Sequence, residues 1–265
     1  MHGSVDALAT LDGKRKIEFV LSNQPGFDTA LDVDYPGVRS LDGFRIIRPL
    51  VAILYNKSRY GIKAYVVRWV VVDVRGHREV HNLVPWAEAG GHEALTGEEI
   101  VWNPGEPRLV SPRFNWGVSP FDVQDRANLM ASLAKDPLAA ESATALSIDI
   151  SVDAVVYDDG VFTGPDNGDF YDRYECERNG EQDEAELALI WLDGSLSDDD
   201  IVARLTADIE KGLTADGSDR NSLLDGARGR EATRLLKAFR LTGRTGLRNL
   251  SARVTSYKRA GLRRM

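Results

Sequence analysis

An alternation of apolar and polar side chains between Ala145 and Tyr157 is the feature that most restricts the fold of this chain. The apolar positions are Leu146, Ile148, Ile150, Val152, Ala154 and Val156. The polar positions between them are Ser147, Asp149, Ser151 and Asp153. Because successive side chains of a strand point to opposite faces, this pattern predicts a half-exposed β-strand with one buried side.

Several other segments are rich in β-branched and aromatic residues and are separated by Pro, Gly, Asn or Asp, which predicts further strands. They are Lys16–Leu21, Ala30–Val33, Arg45–Tyr55, Ile62–Val74, Glu79–Leu83, Glu99–Trp102 and Arg108–Val110. The longest of them, Ile62–Val74, is apolar on both faces except at Arg68, as expected of a central strand packed on two sides. Asp73–Gly76 predicts a hairpin, and Pro104–Gly105 predicts a type II turn.

After Asp166 the hydrophobic period becomes helical. Helix is predicted over Glu184–Leu192, and Ser197 is predicted to cap a second helix. Beyond a polar linker at Thr214–Asn221, two helical stripes follow. They consist of Leu224, Ala227, Glu231 or Ala232, Leu235 and Phe239, and of Leu247, Leu250, Val254, Tyr257 and Gly261. A short helix is also predicted at Asp122–Lys135, ending before Pro137.

Residues 51–110 carry turn signals that resemble a known kind of module. They contain VAILYNKSRYGIKAYVVRWVVVDVRGH and, later, NPGEPRLVS. An apolar strand ending in Asn-x-Ser, a long strand ending in Asp-x-x-Gly, and a Pro-Gly turn before the next strand resemble bacterial immunoglobulin-like or fibronectin type III-like modules. The resemblance implies a β-sandwich and no catalytic residues.

The expected fold is therefore mainly β with α. We predict an immunoglobulin-like antiparallel β-sandwich at 14–163, followed by a helical C-terminal segment at 164–265 that packs on it.

Composition excludes several classes of protein. No apolar run approaches the roughly eighteen residues that a membrane helix needs, so no membrane span is predicted. Cys176 is the sole cysteine, which excludes an intrachain disulfide and cysteine-based metal clusters. The N-terminal segment lacks a basic leader followed by an apolar block, so no signal peptide is predicted. We expect a soluble cytoplasmic protein, with export left open if a leader was removed.

Charge is distributed unevenly along the chain. Residues 149–216 contain 20 acidic and 4 basic residues, whereas residues 226–265 contain 12 basic and 1 acidic. The two blocks are expected to attract each other. A basic tail is also typical of proteins that bind nucleic acid or anionic membranes. We favour the first interpretation, because a chain with a formal net charge of −8 attracts polyanions poorly at long range.

The densest acidic run lies between Val156 and Arg173. Asp158-Asp159-Gly160 is typical of a tight hairpin, and Asp166 or Asp169 is placed to cap a helix. The alternative is a calcium site formed by Asp158, Asp159, Asp166 and Asp169, because calcium prefers carboxylate and carbonyl oxygens. The run lacks the spacing of an EF-hand, which favours the structural interpretation.

The C-terminal stripe carries its basic residues mostly off the apolar side, which predicts a basic amphipathic helix. Candidate partner-binding residues on it are Arg248, Arg253, Lys258 and Arg259. Such a helix can pack on its own domain, on another protein or on an anionic surface. Without interleaved aromatic residues, binding to single-stranded nucleic acid is not favoured.

Two common motifs for catalysis and for nucleotide binding do not occur in the sequence. It has no GxSxG element and no phosphate-binding glycine loop. His77 and His81 would lie about 13 Å apart on a strand, too far to share one metal ion. The sequence therefore favours a non-catalytic binding or assembly module, acting on a protein partner or by self-association, with no cofactor. The alternatives are a calcium-dependent enzyme or binder and a protein that binds anionic surfaces through its tail.

Overall fold

The computed structural model describes residues 15–41, 43–84, 101–116, 128, 131–132, 135, 137–138, 144–194, 196–256 and 263–264. These residues divide into two compact units, with the boundary between Pro165 and Asp166. The first unit contains the described residues up to 165. The second contains those from 166 to 264.

Strands and helices of the described residues follow in chain order. The strands are β1 (Ile17–Leu21), β2 (Ala52–Asn56), β3 (Ile62–Asp73), β4 (Arg78–Leu83), β5 (Pro107–Ser111), β6 (Phe114–Trp116), β7 (Ala145–Tyr157), β8 (Val161–Thr163) and β9 (Arg263–Arg264). The α-helices are α1 (Phe27–Asp34), α2 (Phe44–Ile47), α3 (Phe170–Asp193), α4 (Asp198–Leu213) and α5 (Arg220–Ser256). Short 3-10 helices span Val38–Ser40 and Arg48–Leu50.

The first unit contains two antiparallel sheets. The first sheet has the order β1-β2-β5-β6, and the second contains β4-β3-β7-β8 in that order. The chain thus combines antiparallel sheets with helices, as predicted. Among the described residues, however, helical residues outnumber strand residues, so the expected emphasis on β-structure is corrected.

One buried cluster contains side chains from both sheets. The first sheet contributes Ile17, Phe19, Leu21, Ala52, Leu54 and Val110, and the second contributes Tyr65, Val67, Trp69, Val71, Leu83, Ile150, Val152, Val155 and Tyr157. Trp69 is fully buried, and its indole N–H donates to the Leu50 carbonyl at 2.9 Å. The predicted central position of β3 is confirmed, because β3 pairs with β4 on one side and with β7 on the other.

A β-bulge divides strand β7 into two parts. Val67 pairs with Val152 and Val66 with Ala154, which leaves Asp153 as an extra residue. The extra residue reverses the alternation, so that Val155 and Tyr157 join this cluster, while Ala154 and Val156 are buried outside it. Asp153, predicted to be exposed, is also buried. Burial of Ile150, Val152, Ala154 and Val156 is confirmed, but Leu146 is exposed, and beyond Val152 both faces of the strand are buried instead of one.

Two predicted strands are helical in the structure. Ala30–Val33 lies within α1, and the first half of Arg45–Tyr55 forms α2 and a 3-10 turn. Phe27, Leu31 and Tyr35 recur every four residues and are buried together with Ile53 of β2. Tertiary packing on the sheet thus outweighs the weak strand propensity of these short segments.

The predicted turns are present. Gly76 follows β3 with φ of 79°, and Gly105 adopts φ of 83° after Pro104. Gly160 adopts φ of 79° between β7 and β8. Left-handed φ is accessible to glycine without a steric penalty, which explains why these three positions could be recognised. The predicted helix at Asp122–Lys135 falls largely outside the described residues.

The second unit is built from α3, α4 and α5, which share a buried apolar cluster. Ser197 caps α4 as predicted, with its hydroxyl accepting from the Asp200 N–H at 3.1 Å. Helix α5 contains the first predicted apolar stripe and Leu247, Leu250 and Val254 of the second, and it is interrupted at Gly243. Tyr257 and Gly261 lie outside the described residues. Helices α4 and α5 approach closely at Gly212 and Gly229. Within the described part of the chain, no helix is sufficiently long and apolar to span a membrane.

Candidate functional site

Asp158 and Asp159 lie in the hairpin between β7 and β8, where their carboxylates accept hydrogen bonds. The Asp158 carboxylate accepts a hydrogen bond from the Gly61 N–H at 2.9 Å. The Asp159 carboxylate accepts from the Val161 N–H at 3.2 Å and also pairs with the guanidinium of Arg15. The structural interpretation of these two residues, as parts of a turn, is confirmed.

Arg15 is a buried cation at this hairpin. Its guanidinium lies 4.4 Å from the centre of the Tyr60 ring and 5.3 Å from that of Tyr157. The two rings meet edge to face, with their centres 6.4 Å apart. Aromatic faces and a carboxylate both stabilise a guanidinium that has lost water, so Asp159 contributes to an ion pair within the fold.

Asp166 caps helix α3, and Asp169 lies exposed at the start of the same helix. The Asp166 carboxylate accepts from the N–H groups of Phe170 at 2.7 Å and Tyr171 at 3.3 Å. Its second oxygen lies 3.0 Å from the guanidinium of Arg264. Asp166 and Asp169 both adopt positive φ, of 57° and 51°, a conformation that Asp tolerates better than most residues.

Within each unit, the contacts of the acidic run are those of a turn, an ion pair and a helix cap. Among the residues that the structure describes, no group of three or more His, Cys, Asp or Glu side chains is arranged to hold a metal ion. A calcium site at Asp158, Asp159, Asp166 and Asp169 stays a prediction.

The Asp166→Ala variant is expected to lose about 1 kcal/mol of helix stability, because two N–H groups of α3 lose their acceptor. Asp166→Asn retains the side-chain oxygen and tolerates positive φ, so it is expected to lose less. Urea denaturation followed by the helical circular dichroism signal measures both. Equal destabilisation by alanine and by asparagine would contradict a capping role.

Arginines of helix α5 pair with carboxylates of α3 and α4. Arg230 lies 2.9 Å from Glu177, and Arg248 lies 2.9 Å from Asp193. Arg244 lies 2.7 Å from Asp198. The predicted attraction between the acidic and basic blocks is confirmed for these pairs. They are partly exposed, so each contributes little to stability but lowers the free positive charge of the helix.

The four predicted partner-binding residues are only partly described. Arg248 is paired with Asp193, and Arg253 lies on the exposed side of α5. Lys258 and Arg259 lie outside the described residues. Their role as a partner-binding surface stays a prediction.

A second group of charged residues, not predicted from the sequence, lies inside the helical unit. Glu184 of α3 and Glu231 of α5 are both fully buried. Glu231 accepts a hydrogen bond from Arg234 at 2.7 Å, and Glu184 lies 3.6 Å from the Nε atom of Arg228. Neither oxygen of Glu184 meets a hydrogen-bond donor among the described residues, and a hydrogen bond with the neighbouring Asp208 carboxylate requires a proton on one of the two. An ionised carboxylate in such a place is costly unless it is fully paired.

Burial controls the protonation of this group. Loss of water, together with the neighbouring carboxylate of Asp208, raises the pKa of Glu184 to about 8. Loss of water also raises the pKa of Glu231 to about 7, against the opposing effect of Arg234. Desolvation likewise raises the pKa of Glu181, one turn before Glu184 on α3. We refer to Glu181, Glu184, Asp208, Glu231, Arg178, Arg228 and Arg234 as the interhelical charge cluster.

A sequence signal for this cluster does exist. Cys176, Gly180, Glu184 and Ala188 recur every four residues on α3 and are all buried. On α5, Glu231 lies four residues after Ala227 and four before Leu235, within a predicted apolar stripe. A glutamate at a core position of a stripe marks a buried carboxylate. Chemically, such a group can take up and release a proton near neutral pH.

Strand β4 forms an edge of the second sheet. Among the described residues it pairs with β3 alone. Along it, Arg78, Val80 and Asn82 are exposed and Glu79 and His81 are half-buried. Val80 is 44 % exposed, and the Nε2 atom of His81 lies 3.4 Å from the Glu79 carboxylate. An edge of this kind presents unpaired backbone groups to a further strand.

Comparison with protein-family models, curated proteins and solved structures finds no match to this chain.

Proposed function

We propose that the chain is a non-catalytic binding or assembly module, built on an immunoglobulin-like β-sandwich. Support for the sandwich comes from the single buried cluster to which both antiparallel sheets contribute. The charged side chains of the acidic run and of α5 mostly bind backbone amides or each other. Charged side chains that are paired within the fold stabilise it as a scaffold, and recognition of a partner is then left to other surfaces.

The assembly surface that we propose is the side of β4 that pairs with no other described strand, and the partner is a second copy of the chain. The observation that carries this proposal is the self-complementary sequence of the strand, Arg78–Leu83. If two copies pair antiparallel about Val80, that residue faces its own counterpart. Glu79 then faces His81, and Arg78 faces Asn82. Apolar pairs and pairs that combine a hydrogen-bond donor with an acceptor are stabilising across strands, and a two-fold axis repeats each of them.

The Val80→Lys variant is expected to abolish self-association. Two lysines would face each other across the symmetric pair, and like charges directly opposite are destabilising. We expect the dissociation constant of the dimer to rise by at least about tenfold, equivalent to about 1.4 kcal/mol. Sedimentation velocity over a range of protein concentrations measures it.

Val33→Lys is a matched control, because Val33 is an apolar residue of α1 with 73 % of its surface exposed. It should associate as the unaltered chain does. A chain that stays monomeric at all concentrations, or one that Val80→Lys and Val33→Lys affect equally, would exclude this edge as the assembly surface.

The two alternatives predicted from the sequence are less well supported. Pairing of Arg230, Arg244 and Arg248 with carboxylates reduces the charge available to an anionic surface. Three of the four carboxylates proposed for calcium, those of Asp158, Asp159 and Asp166, already accept hydrogen bonds from backbone N–H groups.

A further inference from the structure

The interhelical charge cluster contains one more acidic than basic group. On α3 it includes Arg178 and Glu181 beside Glu184, and on α4 it includes Asp208. On α5 it includes Arg228 and Arg234 beside Glu231. Glu177 and Arg230, which also act on Glu181, pair with each other at 2.9 Å and add no net charge. One bound proton therefore makes the cluster neutral.

Burial makes this excess charge costly. Glu184 and Glu231 are fully buried, and the Glu184 oxygens meet no hydrogen-bond donor among the described residues unless a proton is shared with the Asp208 carboxylate. The helices cannot easily shift to admit water at this point, because α4 and α5 are in close backbone contact. A Cβ atom placed on Gly229 would lie 2.7 Å from the Cα of Gly212 and 3.0 Å from the carbonyl oxygen of Asp208. A buried excess charge in a closely packed site favours either proton uptake or separation of the helices.

We propose that the helical unit is a proton-linked conformational element, in which a proton held at Glu184 keeps α3, α4 and α5 packed and its loss loosens them. The unit is then closed at mildly acidic and neutral pH and loosened at alkaline pH. The inference concerns α3 to α5 alone and does not depend on assembly through β4.

The direction of the pH dependence follows from the raised pKa values. The ordinary pKa of glutamic acid is 4.5, and burial raises that of Glu184 to about 8 and that of Glu231 to about 7. The folded unit therefore binds more protons than the unfolded chain. The stabilisation is complete below the ordinary value and is lost as the pH rises through 7 to 8. Hydrogen bonds from Ser218 lower the pKa of Asp216 to about 2. Its titration therefore changes the stability of the unit only at pH values below its ordinary pKa of 3.8.

Hydrogen exchange of the full chain, corrected for intrinsic exchange rates, tests the proposal at about pH 6 and about pH 9. In the unaltered chain, protection of α3, α4 and α5 should fall at least about tenfold at the higher pH, since one pKa unit corresponds to a factor of ten. Glu184→Gln imitates the protonated side chain and should lose clearly less protection than the unaltered chain, with only the part linked to Glu231 remaining. Glu186→Gln, at an exposed position of the same helix, should behave as the unaltered chain does.

Equal loss of protection in Glu184→Gln and in the unaltered chain would overturn the proposal, as would pH-independent protection of the unaltered chain. A second measurement applies if Glu184→Gln does not fold. Infrared difference spectra of the unaltered chain should show the C=O stretch of a protonated carboxylic acid at about pH 6.5, and this band should vanish at about pH 9. Absence of the band at the lower pH would overturn the proposal by itself.

Discussion

Asn56→Ala is expected to lower the free energy of unfolding of the first unit by about 3 kcal/mol or more. The Asn56 side chain is fully buried at the end of β2. Its amide group donates to the carbonyls of Tyr60 and Trp102, both at 2.9 Å. Its oxygen accepts from the N–H of Ser58 at 3.0 Å and from the hydroxyl of Ser58 at 2.6 Å.

The size of this effect follows from what the substitution leaves behind. The buried Ser58 N–H loses its acceptor, and an unsatisfied buried group costs about 1 to 3 kcal/mol. The carbonyls of Tyr60 and Trp102 each lose one of two donors and keep the Ser58 hydroxyl and the Ile62 N–H, so each lost bond adds about 1 kcal/mol. Against a total stability of about 5 to 15 kcal/mol for a typical domain, such a loss is severe. Urea denaturation monitored by tryptophan fluorescence measures it, since Trp69 and Trp102 are buried in the same core.

Asn82→Ala removes the same amide from an exposed strand position of the same unit. It should change stability by less than about 0.5 kcal/mol. If Asn56→Ala costs no more than Asn82→Ala, the buried network does not stabilise the loop between β2 and β3 as we infer.

Gly229→Ala is expected to destabilise the helical unit by about 3 kcal/mol, although alanine is the better helix former. The added Cβ would lie 2.7 Å from the Cα of Gly212 and 3.0 Å from the carbonyl oxygen of Asp208. Both are backbone atoms, so relief requires α4 and α5 to move apart. Thermal denaturation followed by helical circular dichroism measures the loss.

Gly226→Ala is the matched control on the same helix. There a Cβ would meet its nearest neighbours, in Arg230 and Ala215, at 3.6 and 3.7 Å, which is ordinary van der Waals contact. Helix propensity alone then acts, and the variant should gain up to about 1 kcal/mol. Similar effects of the two substitutions would show that close contact at Gly229 is not what holds the helices together.

Local signals allowed much of the backbone to be predicted. Gly76, Gly105 and Gly160 have the positive φ that their turns require, and Ser197 accepts the expected capping bond. In each case a few neighbouring residues decide the conformation, so sequence suffices. Asp166 or Asp169 was likewise predicted as a cap from its position before a helical pattern, and it is the side chain of Asp166 that accepts the bond.

Features that depend on distant contacts were missed. Ala30–Val33 was predicted as a strand but lies in helix α1. The helix was missed because its apolar side chains are buried by β2, more than twenty residues away in sequence. The bulge at Asp153 has no local signature, since the extra residue is defined by its pairing with β3. The interhelical charge cluster combines residues from three helices, and each glutamate alone looks like an ordinary helix former.

By itself, the sequence determined where strands and helices begin and end around glycine, proline and capping residues, and which segments carry an apolar side. The tertiary structure alone decided that both sides of β7 are buried beyond Asp153 and which glutamates are buried without full pairing. The physical reason is that turns and caps involve backbone groups within a few residues, whereas burial and the pKa of a carboxyl depend on every element packed around it.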